Sequence, residues 1–374
     1  MKQFIYADNA ATTQLDGDAF EAMKPYLLSE YGNASQPYSF SRAAKIALRE
    51  SREIVAQCIG AAPEEIYFTS GGTESDNWAI KGSAFSDANK RATLTSMIEH
   101  HAILRACESI ERLGYPVAYL PVDVNGIVQP ELLSEWITEK TRLVSIMFAN
   151  NEIGSIQDIA ALSEIAHSHK ALFHTDAVQA VGHLDIDVNV LGVDMLSASA
   201  HKFNGPKGIG FLYIRKGTPM TPYASGGSQE FGMRAGTENI ASIVGMTVAL
   251  KKSCEFLHAT KDHLLSLEQQ LIAALDAGGV EFCRNGSRIH IPGNISLSFP
   301  GQDGEALLHR LDLMGICVST GSACDSTRTQ ISHVLQAIGL EESFAKGTIR
   351  ISLGKNNTAN DVGSIAGALI KILK

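Results

Sequence analysis

A β-rich run, a glycine pair and the start of a helical stretch follow one another in Ile66-Tyr67-Phe68-Thr69-Ser70-Gly71-Gly72-Thr73-Glu74-Ser75-Asp76. The run predicts a strand over Ile66–Thr69, and the residues after it predict a helix over 73–85. Thr73 and Asp76 have capping-box spacing, with aspartate as the acidic member, and we expect them to begin the helix. A strand that leads through glycines into a helix is typical of open α/β sheets.

The same alternation continues along the chain. It predicts strands over 92–96, 143–148, 171–175, 195–199 and 209–214, and helices over 102–113 and 158–169. Strands that alternate with helices indicate a mostly parallel sheet with helices on both faces. Polar residues follow several of these strands, at the edge where open α/β sheets bind their ligands.

The pattern changes after a long helical stretch over 239–277. Strands over 295–299, 316–319 and 348–353 then mix with helices over 305–313 and 332–338, and Thr358 with Asp361 can cap a final helix. The sequence therefore predicts a large α/β domain over 15–257 and a smaller α+β domain that combines 1–14 with 258–374.

Composition restricts the classes of protein that this chain can belong to. The chain has 374 residues, a formal net charge of −9 and 45% apolar residues, which describe a folded protein without a basic patch for nucleic acid or anionic lipid. Met1–Ile5 carry no apolar signal run, and no stretch approaches the roughly 20 apolar residues that span a bilayer. We expect a cytoplasmic protein without a membrane or nucleic-acid partner. Its six unpatterned cysteines are expected to be reduced thiols.

Ser70-Gly71-Gly72-Thr73-Glu74 is a candidate anion site, because glycines let the backbone approach an anion and a helix N-terminus favours phosphate. An ordinary strand-to-helix turn is an equally good interpretation of this segment alone. No Gly-Lys-Ser/Thr follows the glycines, so the segment is not a P-loop.

A lysine follows another strand in Ser199-Ala200-His201-Lys202 and precedes a glycine-rich turn. That turn leads into a strand and not into a helix, which excludes a Rossmann dinucleotide site. A lysine in such a pocket can form a Schiff base with a carbonyl compound. The alternative is a surface lysine before a turn.

Two further residues stand out by their position. Asp176 follows an apolar strand, where it can cap a helix, bind a metal or pair with the ring nitrogen of pyridoxal phosphate. We do not expect a metal there. Cys324 lies in a polar loop of small residues, where a thiol is accessible and mobile, as a travelling nucleophile must be. A zinc site with Cys317 lacks a compact set of ligands.

Taken together, these motifs resemble the pyridoxal-phosphate-dependent cysteine desulfurases of the class V aminotransferase superfamily over essentially the whole chain. The resemblance rests on motifs that occur in the family's order, namely segments 6–13, 99–101, 176–179 and 349–354 together with Thr69-Ser70-Gly71-Gly72-Thr73-Glu74-Ser75, Asn150-Asn151-Glu152-Ile153-Gly154, Ser199-Ala200-His201-Lys202, Arg234-Ala235-Gly236-Thr237 and Gly321-Ser322-Ala323-Cys324. It implies the type I fold of pyridoxal-phosphate enzymes, with a large sheet domain and a smaller α+β domain.

The resemblance also implies a role for each matching residue. Lys202 would hold the cofactor and move protons at the substrate α-carbon, His100 would stack on the ring and serve in acid–base steps, and Cys324 would attack the substrate sulfur. Asn151 and Arg350 would bind the substrate carboxylate. The remaining implied cofactor ligands are Gly72, Thr73, Asp176, Gln179, Ser199 and His201. Asn151 would contact the cofactor as well as the substrate, and Thr237 would reach the cofactor from the partner subunit in a homodimer.

The expected function is that of a cysteine desulfurase. Such an enzyme converts L-cysteine to L-alanine and passes the sulfur, as a persulfide, to acceptors such as an iron–sulfur scaffold protein. The alternatives are a selenocysteine lyase or another class V aminotransferase, and a catalytically poor homologue that acts as a binding or regulatory subunit. Tyr38 and Ser41 stand where the family commonly has histidine and glycine, which leaves substrate preference and partner docking open.

Overall fold

The structure, a computed structural model, describes residues 4–89, 91–320 and 331–374. In chain order its strands are β1 (Ile5–Tyr6), β2 (Ile66–Thr69), β3 (Ala92–Ser96), β4 (Val117–Leu120), β5 (Thr141–Ser145), β6 (Leu172–Asp176), β7 (Met195–Ser199), β8 (Gly210–Ile214), β9 (Cys283–Arg284), β10 (Asn294–Ser298), β11 (Ile316–Cys317) and β12 (Thr348–Ser352). A seven-stranded sheet has the order β2-β8-β7-β6-β5-β3-β4. Strand β8 is antiparallel to β2 and β7, and the other neighbours are parallel.

Helices surround this sheet and form much of the rest of the chain. They are α1 (Gly17–Leu28), α2 (Arg42–Cys58), α3 (Gly72–Ala84), α4 (His101–Glu111), α5 (Pro130–Trp136), α6 (Ile159–Ser168), α7 (Val188–Leu191), α8 (Ile240–Glu255), α9 (Leu257–Ala277), α10 (Gly304–Leu313), α11 (His333–Ala337), α12 (Glu342–Ala345) and α13 (Ala359–Leu373). Among the described residues, no helix combines the length and apolar character needed to cross a membrane.

Both faces of the large sheet are buried, as the alternating pattern predicts. Successive strand residues enter different apolar clusters: Leu143 packs with α3 and α4, whereas Val144 packs with α2, α6 and α8. Met195 and Leu196 divide between the same two clusters. This alternation follows from the two-residue period of a strand. It confirms the predicted mostly parallel sheet with helices on both faces.

A third apolar cluster lies in the C-terminal part of the chain and also includes residues near the N-terminus. It joins Ala7 to Leu271, Ile295, Ile349 and Ile365. Strand β10 pairs antiparallel with β12 and β9, and β1 pairs parallel with β11. This arrangement supports a small α+β unit built from both chain ends. The boundaries at 14/15 and 257/258 stay a prediction.

The predicted capping box at the start of α3 is wrong. Gly71 is the N-cap, with φ +142°, and Thr73 already lies inside the helix. Few residues other than glycine adopt such a φ. Glu74, not Asp76, reaches back to accept a hydrogen bond from the Ser70 N–H at 3.1 Å. Asp76 is instead buried, with 1% of its surface exposed.

Two other expectations about elements need correction. The helical stretch over 239–277 is two helices, because Phe256 leaves helical geometry and caps α8 through a hydrogen bond to the Lys252 carbonyl. The edge strand β4 (Val117–Leu120) was missed, because only Leu120 in it is fully buried and its periodicity is weak. At the C-terminus, Thr358 and Asp361 form the predicted capping box of α13.

A buried ion pair ties α2 to the segment that precedes α8. The Arg52 guanidinium forms two hydrogen bonds of 2.8 Å to the Glu230 carboxylate, and it also bonds the Ile66 carbonyl. Glu230 in turn accepts the Phe68 N–H at 2.9 Å, so the pair supports strand β2. A buried charge that loses its partner is costly, because no water replaces the lost contact.

We expect Glu230→Gln to lower the free energy of unfolding by about 3 kcal/mol, since it leaves the Arg52 charge buried without its carboxylate. Chemical unfolding followed by circular dichroism measures this loss. The matched control is Glu64→Gln, because Glu64 pairs with Lys216 at 3.7 Å in an exposed position. That control should change stability by less than about 0.5 kcal/mol. Equal effects of the two substitutions would contradict the assignment.

Candidate active site

A cavity of about 540 Å³ lies where β5, β6 and β7 end and α3 begins. It brings together Gly72, Thr73, His100, Asn151, Asp176, Gln179, Ser199, His201, Lys202 and Arg350. Thr237 does not line it in this chain but lines a separate cavity of about 180 Å³ with Ser70 and Gly208. Cys324 lies outside the described residues. The roles of all these residues stay proposals.

Lys202 lies at the end of a short 3₁₀ turn, Ala200–Lys202, that directly follows β7. Its Nζ donates to the carbonyl oxygens of Ala10 at 2.5 Å and Ala11 at 2.8 Å. The His183 imidazole bonds the Lys202 carbonyl at 3.0 Å and fixes the backbone from the other side. Residues of the N-terminal segment therefore orient the lysine, which the sequence did not predict.

The glycine turn after β2 forms one wall of the cavity. A Cβ on Gly72 would come within 2.6 Å of Val178 Cγ2, and a Cβ on Gly210 would collide with the Ala198 carbonyl and Gly71. The turn and β8 therefore pack backbone to backbone. This leaves the N-terminus of α3 open to the cavity, where its free N–H groups and dipole favour an anion such as phosphate.

Asp176 ends β6, and its position at the strand end places it on the cavity wall. Its Oδ1 accepts the Val178 N–H at 2.9 Å. Burial raises the pKa of Asp176 to about 6, and the positive charge of Lys202 partly offsets this effect. A cation placed against this carboxylate would be strongly stabilised, because little water competes for it.

His100 caps α4 and lines the same cavity. Its Nδ1 accepts the Ala102 N–H at 3.1 Å, so the ring proton of the neutral imidazole is on Nε2. Burial lowers the pKa of His100 to about 4, and the nearby charge of Lys202 acts in the same direction. The imidazole is therefore neutral at physiological pH and can accept a proton only transiently.

Arg350 lines the cavity from strand β12. One terminal nitrogen donates to the Asn151 carbonyl at 2.9 Å, and the other pairs with Asp8 Oδ1 at 2.7 Å. These contacts fix the plane of the guanidinium, and each terminal nitrogen keeps a second N–H. Such a fork is suited to a carboxylate. Gln179 is held similarly, since its Nε2 donates to the Ala10 carbonyl at 2.9 Å.

Three ligand-type side chains lie together at the cavity floor. Asp76, His100 and Asp176 bring their ligand atoms within 4.8 Å of one another, which is close enough for a metal ion. The lysine and the open helix N-terminus in the same cavity are better suited to an organic ligand than to a metal ion. A buried carboxylate, a lysine and phosphate-binding amides are the groups that hold the ring nitrogen, carbonyl carbon and phosphate of pyridoxal phosphate. The donor set therefore fits this cofactor.

The sheet order and this set of groups define the type I fold of pyridoxal-phosphate-dependent enzymes. The chain belongs to the class V aminotransferase family, whose family model matches residues 5–365. It is 47% identical over 376 residues to a cysteine desulfurase IscS of Dictyoglomus turgidum, covering 100% of this chain and 95% of that protein. A cysteine desulfurase IscS of Methanosarcina thermophila is 45% identical, with 99% and 92% covered.

Solved structures agree with these relatives. A NifS-like protein superposes with a TM-score of 0.93 at 38% identity, covering 99% of each chain. The structure of SspA in complex with cysteine gives a TM-score of 0.83 at 36% identity, covering 95% of this chain and 100% of that one. The resemblance predicted from the motifs is confirmed, and the full-length agreement supports cysteine desulfurase function.

Several cavity residues were missed by the sequence reasoning. Asp8 and the carbonyls of Ala10 and Ala11 lie in a motif that carried the resemblance, yet no role was assigned to them. Backbone carbonyls leave no residue-type signal. Asp76 had a signal that was misread: it is a single acidic residue on the buried side of α3, between Ser75 and Trp78.

We expect the His100 imidazole to stay neutral down to about pH 5, because burial disfavours its charged form. Nitrogen-15 NMR of histidine-labelled protein, assigned with His100→Asn, measures its titration. His167 is an internal comparison, since its hydrogen bond to Asp194 at 2.9 Å raises its pKa. A His100 midpoint near that of an exposed imidazole would contradict the prediction.

Proposed function

We propose that this protein is a cysteine desulfurase that converts L-cysteine to L-alanine and holds the released sulfur as a persulfide on Cys324. The observation that carries the proposal is a single cavity that gathers Lys202, Asp176, His100 and Arg350 beside an open helix N-terminus. The similarity of the chain to cysteine desulfurases over its full length supports the same reaction. The cofactor in this proposal is pyridoxal phosphate.

Bound pyridoxal phosphate supplies an electron sink conjugated to the substrate's α-carbon. Asp176 would hold the ring nitrogen in its protonated form, since a carboxylate this buried gains most from a cationic partner. The N-terminus of α3 with Thr73, Ser199 and His201 would hold the phosphate. His100 would pack on the ring, and Gln179 would bond the ring oxygen.

Lys202 would move the protons. Its Nζ lies at the cavity edge, where the Ala10 and Ala11 carbonyls direct it. From there it can take the proton from the substrate α-carbon and return protons later in the reaction. A positioned general acid or base of this kind contributes a rate factor on the order of 10² to 10⁴.

Arg350 and Asn151 would orient the substrate through its carboxylate. The guanidinium is fixed by Asp8 and by the Asn151 carbonyl, so a bound carboxylate meets a preorganised fork. This contact places the amino group of cysteine toward Lys202 and leaves the substrate sulfur free for the thiol that attacks it.

Sulfur transfer balances without an external oxidant. As the substrate's carbon–sulfur bond breaks, the Cys324 thiolate forms a sulfur–sulfur bond, and the carbon gains a proton to become the methyl group of alanine. The products are alanine and a persulfide on the enzyme. An acceptor such as an iron–sulfur scaffold protein would then take the sulfur.

The assembly and location belong to the same proposal. Thr237 lines a cavity beside Ser70, close to the glycine turn, and would reach the phosphate of the partner subunit's site in a homodimer. A cytoplasmic setting would keep the Cys324 thiol reduced between cycles. Among the described residues, five other cysteines are free thiols.

The decisive test incubates purified protein with pyridoxal phosphate, L-cysteine and a thiol reductant, and it measures alanine and sulfide together. We expect equal amounts of both. Lys202→Ala should abolish both products, because no other group in the proposal moves the α-proton. Cys324→Ser should lower them at least 10-fold. The control Cys317→Ser should retain activity, since that thiol lies in β11 and outside the cavity lining.

The outcomes separate the alternative enzymes. Turnover that survives Cys324→Ser unchanged would favour a selenocysteine lyase, which needs no attacking thiol. Amino transfer to a keto acid without sulfide would identify an aminotransferase. Absence of both reactions from a folded protein that binds pyridoxal phosphate would indicate a binding or regulatory subunit.

A further inference from the structure

Asp76 is a buried carboxyl group to which the reaction described above gives no role. It lies in the second turn of α3, lines the floor of the cavity and is 1% exposed. Within the described parts of the chain, neither of its carboxyl oxygens has a hydrogen-bond partner. Burial without a partner is costly for a polar group, so a carboxyl kept in this position needs an explanation.

Among the described residues, the groups that act on the pKa of Asp76 supply no positive charge. Its Oδ1 lies 3.9 Å from His174 Nε2, but burial lowers the pKa of His174 to about 3, so this imidazole is neutral. His174 is held between the hydroxyls of Ser145 at 2.9 Å and Ser197 at 3.0 Å. Burial raises the pKa of Asp76, and the nearby Ser197 hydroxyl acts in the opposite direction.

The other neighbours of Asp76 are acids and a neutral ring. Asp176 and His100 lie within 4.8 Å of it, and Glu99 is a further buried acid nearby. Burial and the negative charge of Asp176 raise the pKa of Asp76 well above its usual value. Of the two aspartates, Asp176 feels the Lys202 cation and holds an amide hydrogen bond, so Asp76 is the one that keeps a proton.

We propose that Asp76 is a positioning residue whose protonated carboxyl donates to the Asp176 carboxylate and holds it charged and oriented toward the ring nitrogen of the cofactor. This inference rests on the proposed function, because it assigns Asp176 to that nitrogen. The carboxyl oxygens of the two side chains lie within 4.8 Å of each other, and the proposed contact requires them to approach to hydrogen-bond distance. A hydrogen bond from a protonated acid to a carboxylate is stronger in a dry site than in water.

The arrangement also explains why an acid is suited to this position. A neutral donor stabilises the Asp176 charge without adding a second charge to the floor of the cavity. An ionised Asp76 would instead repel Asp176, because two buried carboxylates this close cannot both be charged at low cost. An amide at position 76 keeps a donor and cannot ionise, whereas an apolar residue removes the donor.

The experiment compares Asp76→Asn and Asp76→Ala with the wild type in the binding of pyridoxal phosphate to the cofactor-free protein. Titration followed by the visible absorbance of the bound cofactor gives the dissociation constant, and the pH dependence of that absorbance reports the ring environment. We expect D76N to bind within about 3-fold of the wild type. D76A should bind at least 10-fold more weakly, about 1.4 kcal/mol, and should shift the absorbance titration.

Asn77→Ala is the matched control, because Asn77 is the next residue of α3 and its side chain bonds the Thr73 carbonyl at 2.9 Å within the same helix. It should leave binding and absorbance unchanged. Thermal unfolding of each cofactor-free variant shows whether it is folded. If D76A does not fold, the test rests on D76N. Binding of pyridoxal phosphate by D76N within about 3-fold of the wild type supports a neutral donor at position 76, and a 10-fold loss of affinity overturns the inference.

Two further results would overturn the inference. One is D76A binding pyridoxal phosphate as tightly as the wild type with the same absorbance titration, which would leave Asp76 without a positioning role. The other is an equal loss in folded D76N and D76A, which would mean that Asp76 acts as a charge. Failure of the wild type itself to bind pyridoxal phosphate would refute the proposed function instead.

Discussion

The hydrogen bonds from Lys202 to the carbonyls of Ala10 and Ala11 hold the functional part of this protein together. They join a turn at the end of β7 to a segment that lies nearly two hundred residues earlier in the chain. Gln179 donates to the same Ala10 carbonyl, and Thr13 bonds the His201 carbonyl, so the segment is fixed along its length. These contacts direct the Lys202 side chain toward the N-terminal segment.

The same N-terminal segment connects the two structural units. Its strand β1 pairs with β11, Asp8 pairs with Arg350 on β12, and Ala7 packs in the small unit's apolar cluster. The segment therefore places the arginine of one unit opposite the lysine of the other. A shift of Arg350 relative to Lys202 would change the geometry of the cavity that both residues line, and geometry of this kind controls reaction rates steeply.

Electrostatics beneath the cavity depend on burial. Asp76, Asp176 and Glu99 are acids removed from water, and burial raises the pKa of each, in the case of Glu99 to about 8. His100 and His174 are imidazoles that burial keeps neutral. Among these described acids, Asp176 is the one whose charged form is favoured by Lys202 and by an amide hydrogen bond, so a cationic ring nitrogen would bind against it. The apolar clusters on both faces of the sheet stabilise the fold that holds these groups in place.

Local sequence determined most of the strands, the glycine turn, the lysine after β7 and the family, because each depends on residues that are neighbours in the chain. The capping-box prediction for α3 was wrong because it rested on local spacing alone. Asp76 has that spacing, but in the structure it is buried close to Asp176. Only the tertiary structure decided that Asp8, Ala10 and Ala11 complete the cavity and that Asp8 and the Asn151 carbonyl hold Arg350. These contacts join residues that are far apart in sequence. They depend on backbone carbonyls and on packing between distant segments, and neither of these produces a periodic or residue-type pattern in the sequence.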